Sequence, residues 1–81
     1  MYVYMLKSRV AIKRYYIGLT DDLGHRLAEH NAGETYSTRD DRPWKIVSYS
    51  WFENPDIAER YEKYLKSGSG RAFVNRHFLS K

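Results

Sequence analysis

The sequence predicts an α/β fold of the α+β type: a small three-stranded antiparallel sheet flanked by three helices, in the order β-β-α-β-α-α. Three observations predict it. Residues 1–8, 14–20 and 44–52 are rich in aromatic and β-branched side chains, as strands are. Residues 22–31 and 55–66 carry apolar side chains at helical spacing between capping and breaking residues. A short terminal helix, 71–79, follows a Gly- and Ser-rich break.

Each element has its own justification. In Met1 to Ser8 tyrosines alternate with Val3, Met5 and Leu6, so apolar groups fall on both faces and the strand should be covered on both sides. Arg9 to Lys13 is a short polar connection, and Arg14 to Thr20 is the second strand, joined to the first as a hairpin. Thr20 or Asp21 is expected to cap a helix from Asp22 to Asn31, which Gly33 ends. Glu34 to Pro43 lacks periodicity and reads as a loop, and Trp44 to Phe52 is the third strand. Asn54 caps the second helix with Pro55 at its first position, and the helix runs to about Lys66. Ser67 to Gly70 is expected to break it before a terminal helix from Arg71 to Leu79.

Composition narrows the classes. Residues 1–81 suit one domain, with 42% apolar residues to build its core. There is no cysteine, which removes disulfides and argues against zinc. No apolar run approaches the roughly 20 residues of a membrane span and no signal peptide is visible, so a cytoplasmic protein is expected. Fourteen Lys and Arg against ten Asp and Glu leave a net charge of +4, a modest balance that suits a polyanionic partner.

On the first helix, at about 100° per residue, Leu23 and Leu27 make the stripe that should face the sheet. Arg26 and His30 fall beside that stripe, at the edge of the helix–sheet junction, within reach of the strand that carries Tyr16. The alternative is an arginine that snorkels into water and an interfacial histidine with satisfied nitrogens. On the second helix Ile57, Ala58, Tyr61 and Leu65 form the apolar side. Glu62 lies at its border, while Glu59 points away. Mg²⁺ keeps several waters and takes only one or two protein carboxylates, so Glu62 alone could hold one ion. The alternative is an i,i+4 ion pair with Lys66, like that of Glu59 with Lys63. A tyrosine hydroxyl, with its ordinary pKa of about 10, acts as a base only when a neighbour draws on its proton.

Tyr2-Val3-Tyr4, Tyr15-Tyr16-Ile17-Gly18, the run Asp22 to Asn31 and the run Ala58 to Lys66 together resemble the GIY-YIG nuclease superfamily. The resemblance is to its small stand-alone members, related to the N-terminal nuclease domain found in the ABC excinuclease, and it covers about Tyr2 to Phe73. It implies a sheet whose first strand is central and a metal-dependent endonuclease acting on DNA. It implies Tyr4 and Tyr16 as the catalytic tyrosines, without saying which is the base. Arg26, ten residues after Tyr16, matches an active-site arginine, and His30 matches a position held by histidine or tyrosine near the scissile phosphate. Glu62 matches the family's sole metal ligand, for one Mg²⁺ or Mn²⁺. The chain departs from the pattern in having Tyr2-Val3 where classical members have Gly-Ile. Leu19 stands where the excinuclease branch has a lysine, and Asn75 is near the position of that branch's asparagine.

Further phosphate contacts are expected from Thr38, Arg39 and Arg42 in the hydroxyl-rich loop, and from Lys66 and Arg71 around Ser67–Gly70. Local Arg–Asp pairs and a plain helix–helix turn are their alternatives. DNA is the expected partner, with RNA open because no residue identifiably probes a 2′-hydroxyl. Two further readings are a non-catalytic nucleic-acid-binding module and a nuclease subunit targeted by a protein partner. Oligomeric state is not legible.

Overall fold

The computed structural model describes residues 1–79. It comprises β1 (Tyr2–Ser8), β2 (Tyr15–Thr20), α1 (Leu23–Asn31), β3 (Trp44–Trp51), α2 (Pro55–Lys66) and α3 (Gly68–Val74). The last described residues, Asn75–Leu79, form a π-helical turn. The strands are antiparallel in the order β2-β1-β3, so the first strand is central, and the element order is the expected one.

Because β1 is central, both its faces are buried. Val3 and Met5 pack with Ile17, Ala58, Leu65 and Val74 under α2 and α3. Tyr4 and Leu6 pack on the opposite face with Trp44, Tyr16, Leu23, Leu27 and Ile46 under α1. Ile57, expected in the apolar stripe of α2, is 45% exposed instead, at the helix's first turn.

Two helix starts differ from expectation. Asp22, not Thr20 or Asp21, caps α1: its Oδ1 accepts the His25 amide at 3.0 Å. The Thr20 hydroxyl instead accepts the Asp22 amide at 3.1 Å and shapes the turn into the cap. The break after α2 falls where expected but is confined to Ser67, and Gly68–Gly70 already belong to α3. Ser67 caps it, accepting the Gly70 amide at 3.2 Å and donating to the Tyr64 carbonyl at 2.6 Å. Gly70 has to be glycine for packing reasons, since a Cβ there would run into the Tyr64 carbonyl and the Leu65 Cα. Cap chemistry and close backbone approach thus outweigh glycine's poor helix propensity.

A bulge in the β1–β3 pairing falls between Met5 and Leu6. Leu6 pairs with Ile46 and Ser8 with Trp44, whereas Tyr4 pairs with Tyr49 and Tyr2 with Trp51. The extra residue, Val47, therefore brings Tyr49 and Trp51 onto the same face as Trp44 and Ile46.

Candidate active site

Four of the expected site residues meet on the α1 face of the sheet. Tyr4 reaches up from β1, and its ring lies across Gly18 of β2, where any Cβ would collide with the phenol. Tyr16 lies beside it, with ring centroids 6.2 Å apart. From α1, Arg26 Nε donates to the Tyr4 oxygen at 3.3 Å, and Tyr4 lies 3.0 Å from His30 Nε2. His30 Nδ1 is 2.8 Å from the Thr38 hydroxyl, which donates to the Thr35 carbonyl at 3.4 Å.

These contacts set the direction of the chain. Thr38 spends its proton on a carbonyl, so it accepts from His30 Nδ1–H. A neutral His30 then accepts at Nε2 from the Tyr4 hydroxyl, whose oxygen accepts from Arg26. Burial and the nearby Arg26 charge push the His30 pKa below its ordinary value, consistent with the neutral ring. Burial raises the Tyr4 pKa, offset in part by the Arg26 hydrogen bond. Hydrogen bonds to Glu29 and Tyr4 make Arg26 harder still to deprotonate.

His30 is deeper than its place beside the stripe suggested. It is fully buried, because the loop after α1 folds over it and seats Thr38, itself 1% exposed, against the ring. Asn31 fastens that arrangement: its side-chain amide accepts the Trp44 amide at 2.6 Å and donates to the Trp44 carbonyl at 3.1 Å. Thr38, expected as a phosphate contact, is thereby corrected to an inward-facing support for His30. Glu29 was not singled out in the sequence, although its i,i+3 spacing from Arg26 was a signal. It accepts from Arg26 Nη1 at 2.9 Å and aims the guanidinium, and that bond holds its carboxyl below the usual range.

Neutral burial of His30 predicts acid sensitivity. The unfolded chain protonates His30 as pH falls through about 6.5, while the folded ring resists, so below that point the unfolded state binds more protons. The contribution is full above about pH 6.5 and is lost as pH falls from there through the lower folded-state value. Thermal melts should give a lower Tm in mild acid, and His30→Gln should flatten that slope. An unchanged slope in the variant would assign it to other groups.

Glu62 comes from α2, on the other face of the sheet. Its side chain is 16% exposed and accepts from Lys66 Nζ at 2.8 Å. The outward Glu59–Lys63 pair is also formed, at 3.6 Å. One turn beyond Glu62, a cleft of about 530 Å³ opens between β2 and the α2–α3 junction, lined among others by Lys13, Arg14, Tyr16, Lys66, Arg71 and Asn75. Among the described residues, four cations and no carboxylate line it around Tyr16. Lys66 and Arg71 were expected at such a surface, but Lys13 and Arg14 were not; their signal was a pair of cations leading into β2. Arg14 is also paired with Asp41 at 2.9 Å. Arg39 and Arg42 are exposed and elsewhere engaged: Arg39 lies over the Tyr36 ring at 5.0 Å, and Arg42 packs across Gly33, whose φ is +81°. Leu19 packs against the core beneath α2, so no cation occupies that position.

Residues 1–76 match the GIY-YIG catalytic domain. The chain belongs to the GIY-YIG family. A UPF0213 protein of Clostridium perfringens is 39% identical over 67 residues, covering 80% of this chain and 69% of the relative. A UPF0213 protein of Streptococcus pyogenes serotype M5 is 34% identical over 85 residues, covering 99% and 90%. No solved structure matches. As a GIY-YIG domain the protein is a nuclease of that superfamily, with nucleic acid as its substrate. Among the described residues of this GIY-YIG protein, no helix is long and apolar enough to cross a membrane.

Proposed function

We propose that this GIY-YIG protein is a divalent-metal-dependent endonuclease that hydrolyses DNA phosphodiesters in the cytoplasm, on branched or damaged DNA. The observation that carries the proposal is the directed line Arg26–Tyr4–His30–Thr38 beside Tyr16. A tyrosine with a proton acceptor on one side and a fixed cation on the other is equipped to act as a base.

Tyr16, half-buried at the cleft, orients the attacking water. The water oxygen bonds to phosphorus as its proton passes to the Tyr4 oxygen, and the Tyr4 proton passes to His30 Nε2. Arg26 neutralises the charge that grows on the phosphate. The bond from phosphorus to the 3′ oxygen breaks, and that oxygen takes its proton from solvent. Lys13, Lys66, Arg71 and Arg14 along the cleft hold neighbouring phosphates, with Arg39 and Arg42 farther out.

The donor set fits a hard cation that brings its own waters. Among the described residues no three His, Asp or Glu groups converge, so Glu62 would hold a Mg²⁺ or Mn²⁺ ion together with waters and a substrate phosphate. Such an ion supplies Lewis-acid stabilisation of the leaving 3′ oxygen. Lys66 already offsets the Glu62 charge, and it would be free to meet phosphate if Glu62 held an ion.

A second reading is a non-catalytic nucleic-acid-binding module, or a nuclease subunit that a protein partner targets. The apolar Leu19 and the closed Glu62–Lys66 pair favour it. Labelled duplex, single-stranded, flap and branched DNAs, incubated with Mg²⁺, Mn²⁺ or EDTA, decide between them. Cutting that needs the metal is expected. Binding to every substrate without cutting would overturn the endonuclease reading in favour of the second.

A further inference from the structure

We propose that Tyr2, Tyr49 and Trp51 form a stacking platform for unpaired bases of the nucleic-acid strand being cut. The inference rests on the nuclease reading above for the identity of its ligand, and it adds the form of that ligand, an unpaired strand.

A sheet with one wet face normally turns polar residues toward water. The second half of β3 does the reverse. Ser48 and Ser50 share a face with Met5 and Val3, beneath α2, while Tyr49 and Trp51 are each 58% exposed on the other face. The bulge at Val47 causes this: without it, the face that carries Trp44 and Ile46 would continue as Ser48 and Ser50. Bulges commonly re-aim side chains beside active sites. Here the re-aimed residues are two large aromatics. α1 covers the part of the face that carries Tyr4, Leu6, Ile46 and Trp44, while Tyr49 and Trp51 stay open.

The platform is continuous with the site. Tyr49 is the cross-strand partner of Tyr4, and Trp51 is the partner of Tyr2. Tyr2 meets Tyr49 edge to face at 5.8 Å, which holds the Tyr49 ring in place. Strands lie about 4.8 Å apart. A strand whose phosphate sits at Tyr4 therefore lays its next nucleotides across these rings. Their flat π faces suit any base and read no sequence. A duplex keeps its base faces stacked against each other, so the occupant is an unpaired strand, such as a flap or the junction of a branch.

Tryptophan fluorescence tests this, because Trp44 is 2% exposed and Trp51 is open. Short oligothymidylate is titrated into the protein in EDTA, then the same strand paired with oligoadenylate. Quenching by the single strand alone is expected, and it should vanish in Trp51→Phe. Tyr49→Ala and Trp51→Ala should each weaken single-strand binding roughly tenfold while duplex binding changes by less than about twofold. Both residues are exposed, and circular dichroism checks that the variants fold. Equal quenching by duplex, or unchanged affinity in the alanine variants, would overturn the platform. So would sedimentation showing a dimer that Trp51→Ala dissociates, since a second copy would then cover the face. The readout needs no metal and no cleavage. A protein that stacks bases but never cuts sinks the nuclease reading and leaves the platform standing; one that cuts while Trp51 stays silent sinks only the platform.

Discussion

Glu62→Ala is expected to lose metal-dependent cleavage by about 10³-fold or more, because Lewis-acid stabilisation of a leaving oxygen is worth several kcal/mol. Its fold should hardly change. The carboxylate is paired with Lys66 on the rim of α2, and such a pair is worth about 0.3–0.5 kcal/mol. The two roles of Glu62 therefore separate cleanly. If it serves only Lys66, then Glu62→Ala and Lys66→Ala should both melt within a degree or two of the parent and both still cut. If it holds the metal, Glu62→Ala alone should stop cutting, and Lys66→Ala should keep the metal requirement while losing affinity for DNA. Initial rates over a Mg²⁺ titration, set beside thermal melts, decide it. A Glu62→Ala protein that cuts with an unchanged metal dependence would falsify the endonuclease mechanism.

Tyr4→Phe should lower the cleavage rate by about 10²–10⁴-fold, the range that a positioned base contributes. It removes one oxygen, and with it the bonds to Arg26 Nε and His30 Nε2. Leaving the buried His30 nitrogen without its donor costs about 1–3 kcal/mol as well, so a lower Tm is expected. Tyr16→Phe leaves this line intact and should cost less in rate. Were Tyr16→Phe the more damaging change, the base and the water-orienting residue would exchange places. Gly18→Ala offers an independent route to the same defect. The added Cβ collides with the Tyr4 phenol, which has to swing off its acceptor. That variant should match Tyr4→Phe in rate although no catalytic group is altered. An active Gly18→Ala enzyme would mean that the placement of Tyr4 does not matter.

What could be read from the chain follows the range of the forces involved. The start of α2 was legible to the residue, because Asn54 and Pro55 act on their own helix end. The start of α1 was displaced by one or two residues: Thr20, Asp21 and Asp22 all have capping oxygens, and only the turn geometry selects Asp22. The start of α3 was missed because Gly70 is there to let its backbone approach Tyr64 and Leu65 in the preceding helix. The Arg26–His30 pair was visible in its four-residue spacing. The depth of His30 was not, since it depends on a loop that closes over the ring and places Thr38 there. The cleft that joins Lys13 and Arg14 to Lys66 and Arg71 brings together segments about fifty residues apart.

Local sequence is enough to read the strand and helix order, a β1 that is apolar on both faces, and the side chains available for phosphodiester chemistry; the central place of β1 came from the family resemblance. Periodicity, caps and residue identity are local properties and survive in one dimension. Tertiary structure alone decided that Tyr4 has a proton acceptor, that Thr38 faces inward and that Tyr49 and Trp51 face outward. Each of these turns on which distant group fills the space beside a side chain, and a single bulged residue is enough to exchange the two faces of a strand.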